Sequence, residues 1–216
     1  FKERIMYNGD ERLVHNGKYL SNTMLDFWKW AYSDILHNMQ RGTFAEFIVK
    51  CALENIGIHT NEEQASIKPY DLNGPIILSS GKPARIEVKS AAFVQTWDIK
   101  HPDRANYSIA PAKMPDETGD YPYLSGRQRN NDIYVFTLYT ATDRSENILD
   151  LSWWEFYILP TYLIEMDEKL VLQKTISLKT VKSLCPVLSF EQLGDAIQEC
   201  CKKIPIHEYR IFPSNT

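Results

Sequence analysis

The sequence predicts a single α/β domain, residues 1–216, in which helices flank a central mixed β-sheet. Three observations point there: helical apolar spacing over residues 22–57, strand-like alternation from about residue 70, and a capped helix near the end. The first helix is expected over Thr23–Asn38, where Met24, Leu25, Phe27, Trp28, Ala31, Tyr32, Ile35 and Leu36 recur after a Ser21-Asn22 cap signal. A break at Gly42 precedes a second helix opening at Thr43-Phe44-Ala45-Glu46, with Phe47, Ile48, Cys51, Ala52 and Ile56 on one side and a stop at Gly57. The segment 69–92 reads as a hairpin. Tyr70-Asp71-Leu72 leads through Asn73-Gly74 into Pro75-Ile76-Ile77-Leu78, Ser79-Ser80-Gly81-Lys82-Pro83 supplies the turn, and Arg85-Ile86-Glu87-Val88-Lys89 alternates polar with apolar. Residues 95–131 carry no sustained period and read as a long functional loop region. Strands follow at Asp132–Thr140 and Trp153–Leu159, the second stopped by Pro160, with a further one at Leu170-Val171-Leu172. Ser189-Phe190-Glu191-Gln192 is a capping box for a last helix ending before Pro205.

Composition narrows the function. There are 24 Lys and Arg against 28 Asp and Glu, so 24 − 28 = −4 formal charge, which excludes coating nucleic acid by bulk charge and leaves room for a local basic groove. No apolar run approaches the ~18 residues of a membrane span, and Phe1–Asp10 is too charged for a secretory signal. A soluble, cytoplasmic protein is therefore expected. Cysteines 51, 185, 200 and 201 fit neither a zinc site nor a disulfide framework and are expected as reduced thiols. The five histidines show no ligand spacing, which argues against a His-metal nuclease.

The sharpest feature is Asp71 followed by Glu87-Val88-Lys89. On a strand, Glu87 and Lys89 share one face while Ile86 and Val88 anchor the other. Two neighbouring carboxylates repel and are costly to bury without a cation. Mg²⁺, with Mn²⁺ as a substitute, suits oxygen ligands from Asp71, Glu87 and the Val88 carbonyl, and Lys89 would reach a phosphate or the attacking water. About two acid-x-Lys pairs are expected by chance in a chain of this composition. Three occur, Glu87/Lys89, Asp98/Lys100 and Asp167/Lys169, so context decides. Only the first has an alternating strand, an upstream acid and an upstream helix.

Together with Arg41-Gly42-Thr43-Phe44-Ala45-Glu46-Phe47, Tyr70-Asp71-Leu72 and Ile86-Glu87-Val88-Lys89-Ser90-Ala91-Ala92 resemble the PD-(D/E)xK nuclease superfamily, over residues 41 to about 160. The motif's proline usually abuts the aspartate, whereas Pro69 is separated from Asp71 by Tyr70. The resemblance implies a restriction-endonuclease-like fold and a Mg²⁺-dependent DNA endonuclease of type II restriction-like character, leaving 5′-phosphate and 3′-hydroxyl ends. It implies that Asp71 and Glu87 bind the ion, that Lys89 assists the water, and that Glu46 is a fourth member. The superfamily also contains members that no longer cleave, so a non-catalytic nucleic-acid-binding or assembly module stands as the alternative. A nuclease acting on RNA or on free DNA ends stands as a third.

Double-stranded DNA is the expected partner, with no membrane, and duplex cutting favours a homodimer. Arg127, Gln128, Arg129, Asn130 and Asn131 group phosphate-seeking and base-reading side chains, and Gln95 lies six residues past Lys89, where it would touch a phosphate or a water. Simpler roles stand beside these. Glu87 and Lys89 also read as an exposed ion pair, Glu46 as the capping partner of Thr43, Asp71 as an Asx turn before Asn73-Gly74, and 127–131 as a solvated turn. Phe27, Trp28, Trp30, Trp153 and Trp154 read as core or a dimer surface, and Trp97 as packing.

Overall fold

The computed structural model describes residues 5–60, 69–96, 105–113 and 126–213. Strands β1 (Arg12–His15) and β2 (Lys18–Thr23) form an antiparallel hairpin, followed by helices α1 (Met24–Tyr32) and α2 (Asn38–Glu54). Next come β3 (Leu72–Ile77), β4 (Pro83–Ala92), β5 (Asn106–Ser108), β6 (Ala112–Lys113), β7 (Arg127–Gln128), β8 (Ile133–Tyr139) and β9 (Trp154–Pro160). Then follow α3 (Thr161–Met166), β10 (Thr175–Ser177), α4 (Leu178–Leu184) and α5 (Phe190–Lys203).

The central sheet has the order β3-β4-β8-β9 and is mixed, as expected: β3 and β9 run antiparallel to their neighbours, while β4 and β8 are parallel. The β4–β8 register pairs Glu87 with Tyr134 and Lys89 with Phe136. Side chains alternate, so Ile86, Val88, Ile133 and Val135 enter one core with α2 and α5. Tyr134, Phe136, Leu138, Tyr157 and Leu159 enter a second core with β5, β10 and α4. Burial of both faces explains why β8 is buried along its whole length and apolar but for Thr137. At the start of the β4–β8 pair, buried Asp132 accepts from the Arg85 backbone N–H (2.7 Å) and from its guanidinium (3.1 Å), and Tyr209 Oη also donates to it.

Several expectations move. The second helix begins at Asn38 and passes through Gly42, because buried Arg41 ties its first turn to Leu36 O (3.1 Å), Asn38 Oδ1 (2.9 Å) and Ser90 Oγ (3.3 Å). Thr43 is therefore interior to α2, and Thr43-x-x-Glu46 is not a capping box. The first helix stops at Tyr32 rather than Asn38, and its cap is Thr23, reciprocated by Asp26. Asn73-Gly74 lies inside β3 at a register shift, where Gly74 lets the strand pass close to Thr60. Leu170-Val171-Leu172 is a turn fixed by the Asp167 carboxylate, which accepts from Lys169 N (2.8 Å) and Leu170 N (2.9 Å). The strand is β10 instead. The Ser79–Pro83 turn, the strands near 132–140 and 153–159, and the last helix stand as predicted, with Ser189 N donating to the Gln192 side chain (3.0 Å). The described parts of 95–131 contain β5, β6 and β7, whose two or three residues are too few to show a period. Trp97 and the Asp98/Lys100 pair lie outside the described residues. All four cysteines are free, and burial pushes the Cys201 thiol up to about 12. No helix among the described residues is long and apolar enough to cross a membrane.

Helix α5 reaches α2 at Gly194, where an added Cβ would fall 2.3 Å from the carbonyl oxygen of Ala52. Backbone cannot yield as a flexible side chain can. Gly194→Ala is expected to cost about 2–3 kcal/mol, read as a lowered urea midpoint at unchanged slope.

Candidate active site

The strand β4 is paired with β8 from Ile86 to Ala92, whereas on its other side the pairing with β3 covers only Pro83 to Ile86. Its odd-numbered peptide groups face β8: Arg85 O accepts from Asp132 N (2.8 Å) and Lys89 O from Thr137 Oγ1 (3.4 Å). Its even-numbered ones face β3, where Ile86 O accepts from Asp71 N (3.0 Å). The paired part of β3 begins at Leu72, so on that side Val88 meets no strand among the described residues. Its N–H instead donates to Asp71 Oδ2 at 2.7 Å. Asp71 thus makes the last rung of the ladder with its main chain and the next with its carboxylate, which is not an Asx turn. The Val88 carbonyl, on the same side of the strand as its N–H, points to this same edge.

Glu87 and Lys89 stand on the adjoining face and form an ion pair, with side chains 19% and 29% exposed. That is enough to be reached from solvent. The chain folds this way because Ile86 and Val88 are held in the α2–α5 core, which turns their polar neighbours to the other face. Burial raises the Glu87 carboxyl above its ordinary range; Lys89 opposes the shift and Asp71 adds to it. Burial likewise raises Asp71, against the Val88 hydrogen bond and the charge of Lys89. Asp71, Glu87 and Lys89 therefore share one electrostatic environment. Two carboxylates beside one ammonium leave an excess of negative charge. Hard oxygen donors, a strand-edge carbonyl and surplus negative charge are a donor set that could hold Mg²⁺ or Mn²⁺.

The remaining candidates fall elsewhere. Glu46 is half-buried on the flank of α2, which covers the opposite face of β4 from Glu87. No three His, Cys, Asp or Glu side chains that could share a metal ion are grouped among the described residues, so Glu46 does not extend the Asp71–Glu87 pair. Asp167, of the Asp167/Lys169 pair, caps an exposed turn. Arg129 is interior: its guanidinium donates to the carbonyls of Ile109 (2.9 Å), Val171 (3.1 Å) and Gln173 (3.2 Å) and stitches three loops together. Asn130 is buried on Lys113 O (3.0 Å), and Asn131 on Ile133 O and Thr161 Oγ1 (3.0 Å each). Arg127 pairs its backbone with Phe212. Residues 129–131 are thus a buried junction and not a solvated turn or a DNA-facing loop, while Arg127 and Gln128 are half-buried. Gln95 is 1% exposed, with neither side-chain polar atom hydrogen-bonded among the described residues, so it lies inside the protein and not at a surface DNA would touch.

Gln128 differs. It lines a groove of about 890 Å³ with Tyr70, Asn73, Lys82, Arg85 and Tyr209, between the β3–β4 hairpin and the 204–211 segment. Tyr70 precedes Asp71 and Arg85 lies two residues before Glu87 on β4, but Asp71, Glu87 and Lys89 do not themselves line the groove. Sequence reasoning quoted Tyr70 and Arg41 without giving them a role and missed Lys82, which carries no local motif; the burial of Arg41 against Ser90 depends on a contact 49 residues away.

The sequence matches no protein-family model and no curated protein. Among solved structures, the fold is similar to a bacterial homing endonuclease, I-Ssp6803I, at 16% identity over 65% of this chain and 76% of that one, with a TM-score of 0.36. A likeness of that degree decides neither fold family nor activity.

Both carboxylates hold a proton more tightly in the folded state than in the unfolded one. Stability is therefore lost as pH rises through their raised pKa values and is regained toward the ordinary carboxylate range. Glu87→Gln leaves Lys89 balanced by Asp71 alone. It is expected to stabilise the metal-free protein at neutral pH by about 1 kcal/mol, with the gain shrinking in acid, as read by urea denaturation at two pH values.

Proposed function

We propose that this chain is a Mg²⁺-dependent DNA endonuclease of restriction-like type that hydrolyses phosphodiester bonds. The observation that carries the reading is the Asp71 carboxylate seated on the unpaired rung of β4 beside Val88, with Glu87 and Lys89 on the adjoining face. Asp71, Glu87 and the Val88 carbonyl would hold the ion, which when bound supplies positive charge to the phosphate and makes a water more acidic. Lys89 orients that water and bears on the scissile phosphate, and Asp71 is kept in place by the Val88 N–H. The groove beginning at Tyr70 takes the DNA backbone, with Lys82 meeting a phosphate and Gln128 a sugar or base edge.

A non-catalytic nucleic-acid-binding module on the same scaffold is the second reading. It is favoured by the lack of a third acid at the pair among the described residues. Nicking of supercoiled plasmid separates the two. The endonuclease reading expects Mg²⁺-dependent nicking that falls by at least about 100-fold in Lys89→Ala and Glu87→Ala, with the fold intact. Equal nicking in wild type and both variants would overturn it, and metal-dependent binding without nicking would establish the module.

Two further outcomes are expected. Mn²⁺ should raise the thermal midpoint of the wild type at neutral pH and leave that of Glu87→Gln unmoved. Lys82→Ala should weaken duplex binding and lower the slope of log affinity against log salt by about 1, as measured by fluorescence anisotropy.

A further inference from the structure

The groove of about 890 Å³ between the β3–β4 hairpin and the 204–211 segment is preformed. Its outer wall is tied down at both ends and in the middle. Ser79 Oγ donates to Ile204 O, Tyr209 Oη donates to Asp132, and Arg127 and Phe212 exchange both backbone hydrogen bonds (2.9 and 2.7 Å). Its volume falls within the ~300–1,000 Å³ of cavities that enclose small organic groups.

The lining selects the occupant. The formal charges cancel, Lys82 and Arg85 against Asp132 and Glu208, and Arg85 is already spent on Asp132 (3.1 Å). An interior without net charge does not hold a run of phosphates, whose binding comes from their neutralisation. It suits the uncharged part of a nucleotide. The walls agree: Ile206 and Ile211 line the groove while 80% and 63% exposed, and Tyr70 lines it beside Asp71. Apolar and aromatic walls of this kind cover the flat face of a base. One polar group on the wall is held rigid. Gln128 Nε2 donates to Asn130 Oδ1 (2.9 Å), and buried Asn130 is in turn fixed on Lys113 O (3.0 Å). An amide immobilised in this way has a second N–H and a carbonyl oxygen to offer at a set angle, as the reading of a base edge requires. The groove is also near the acids. Arg85 and Glu87 share one face of β4 two residues apart, about 7 Å, or two base steps along a strand of DNA.

We propose that the groove takes one unpaired nucleobase, turned out of the DNA strand that crosses Asp71 and Glu87. The base packs against Tyr70 and Ile206 with its edge on Gln128, and the adjoining phosphate stays at the rim with Lys82. The position of the strand rests on the nuclease reading. What is added is the substrate class, DNA in which a base near the cut already lacks a partner, as at a bulge or a mismatch. Turning a base out of an intact duplex is costly and is easiest where that base is unpaired.

Fluorescence anisotropy with short labelled duplexes in EDTA tests this without cleavage entering the reading. A duplex with one bulged nucleotide is expected to bind at least about 10-fold more tightly than the same duplex without it, the effect of one stacked base. An abasic nucleotide at the bulge, which keeps the bend and removes the base, should abolish that gain. Gln128→Ala should cut the gain to under about 3-fold with an unchanged far-ultraviolet spectrum. Ile206→Ala, at an exposed position that the fold does not need, should do the same if Gln128→Ala disturbs folding. Lys82→Ala should weaken all the duplexes alike. Equal binding of bulged, abasic and intact duplexes would overturn the proposal, as would a preference for the bulge that survives in both groove variants. Nicking is a separate result: a bulge preference without Mg²⁺-dependent nicking sinks only the cleavage reading, and nicking without a bulge preference sinks only this one.

Discussion

A carboxylate doing the work of a strand organises this molecule. Where β3 gives out, the amide of Val88 would face an empty edge, and a buried N–H without an acceptor costs on the order of 1–3 kcal/mol. Asp71 fills that position with its own side chain. The hydrogen bond fixes the carboxylate at the sheet edge, next to the Val88 carbonyl and within the field of Glu87 and Lys89. The same burial that makes the bond necessary raises both acids above their ordinary range, so the site holds electrostatic tension that a cation would relieve.

Around this edge the sheet is rigid for ordinary reasons. Strands β4 and β8 are covered on both faces, and the Arg85–Asp132–Tyr209 cluster pins the start of their parallel pair. Arg41 performs a similar task at the other end of β4, where it anchors the first turn of α2 against Ser90. Its guanidinium is held by neutral acceptors, and burial lowers its pKa to about 10. The body is thus tightly tied about the site, while the β1–β2 hairpin and α1 are exposed and rest on local signals, the Asn16-Gly17 turn and the Thr23 cap.

The elements that were legible share one property: their signal is local. Alternation in Arg85–Lys89, the turn residues of 79–83 and the Ser189–Gln192 box each act over a few residues, and each stands in the structure. Asn16-Gly17 was equally local, an adequate hairpin signal between Leu13-Val14 and Tyr19-Leu20, but went unread. Asn73-Gly74 carried the same letters and made no turn, because Gly74 is used for close approach to Thr60. Residues Arg129–Asn131 read as a surface for DNA because they are polar. Segments distant in sequence, at Ile109, Val171 and Thr161, close over them and accept from their side chains, and no local pattern reports that.

The sequence by itself determined the class of domain, the hairpin that carries the acids and the face shared by Glu87 and Lys89, since the side-chain period of a strand is fixed by its backbone. Only the tertiary structure decided that Asp71 meets Val88, that Arg129 and Gln95 lie inside, and that α1 lies outside. Those outcomes depend on which surfaces remain for a segment once the rest of the chain has packed, and contacts across 17 to 49 residues leave no periodicity in the segments that make them.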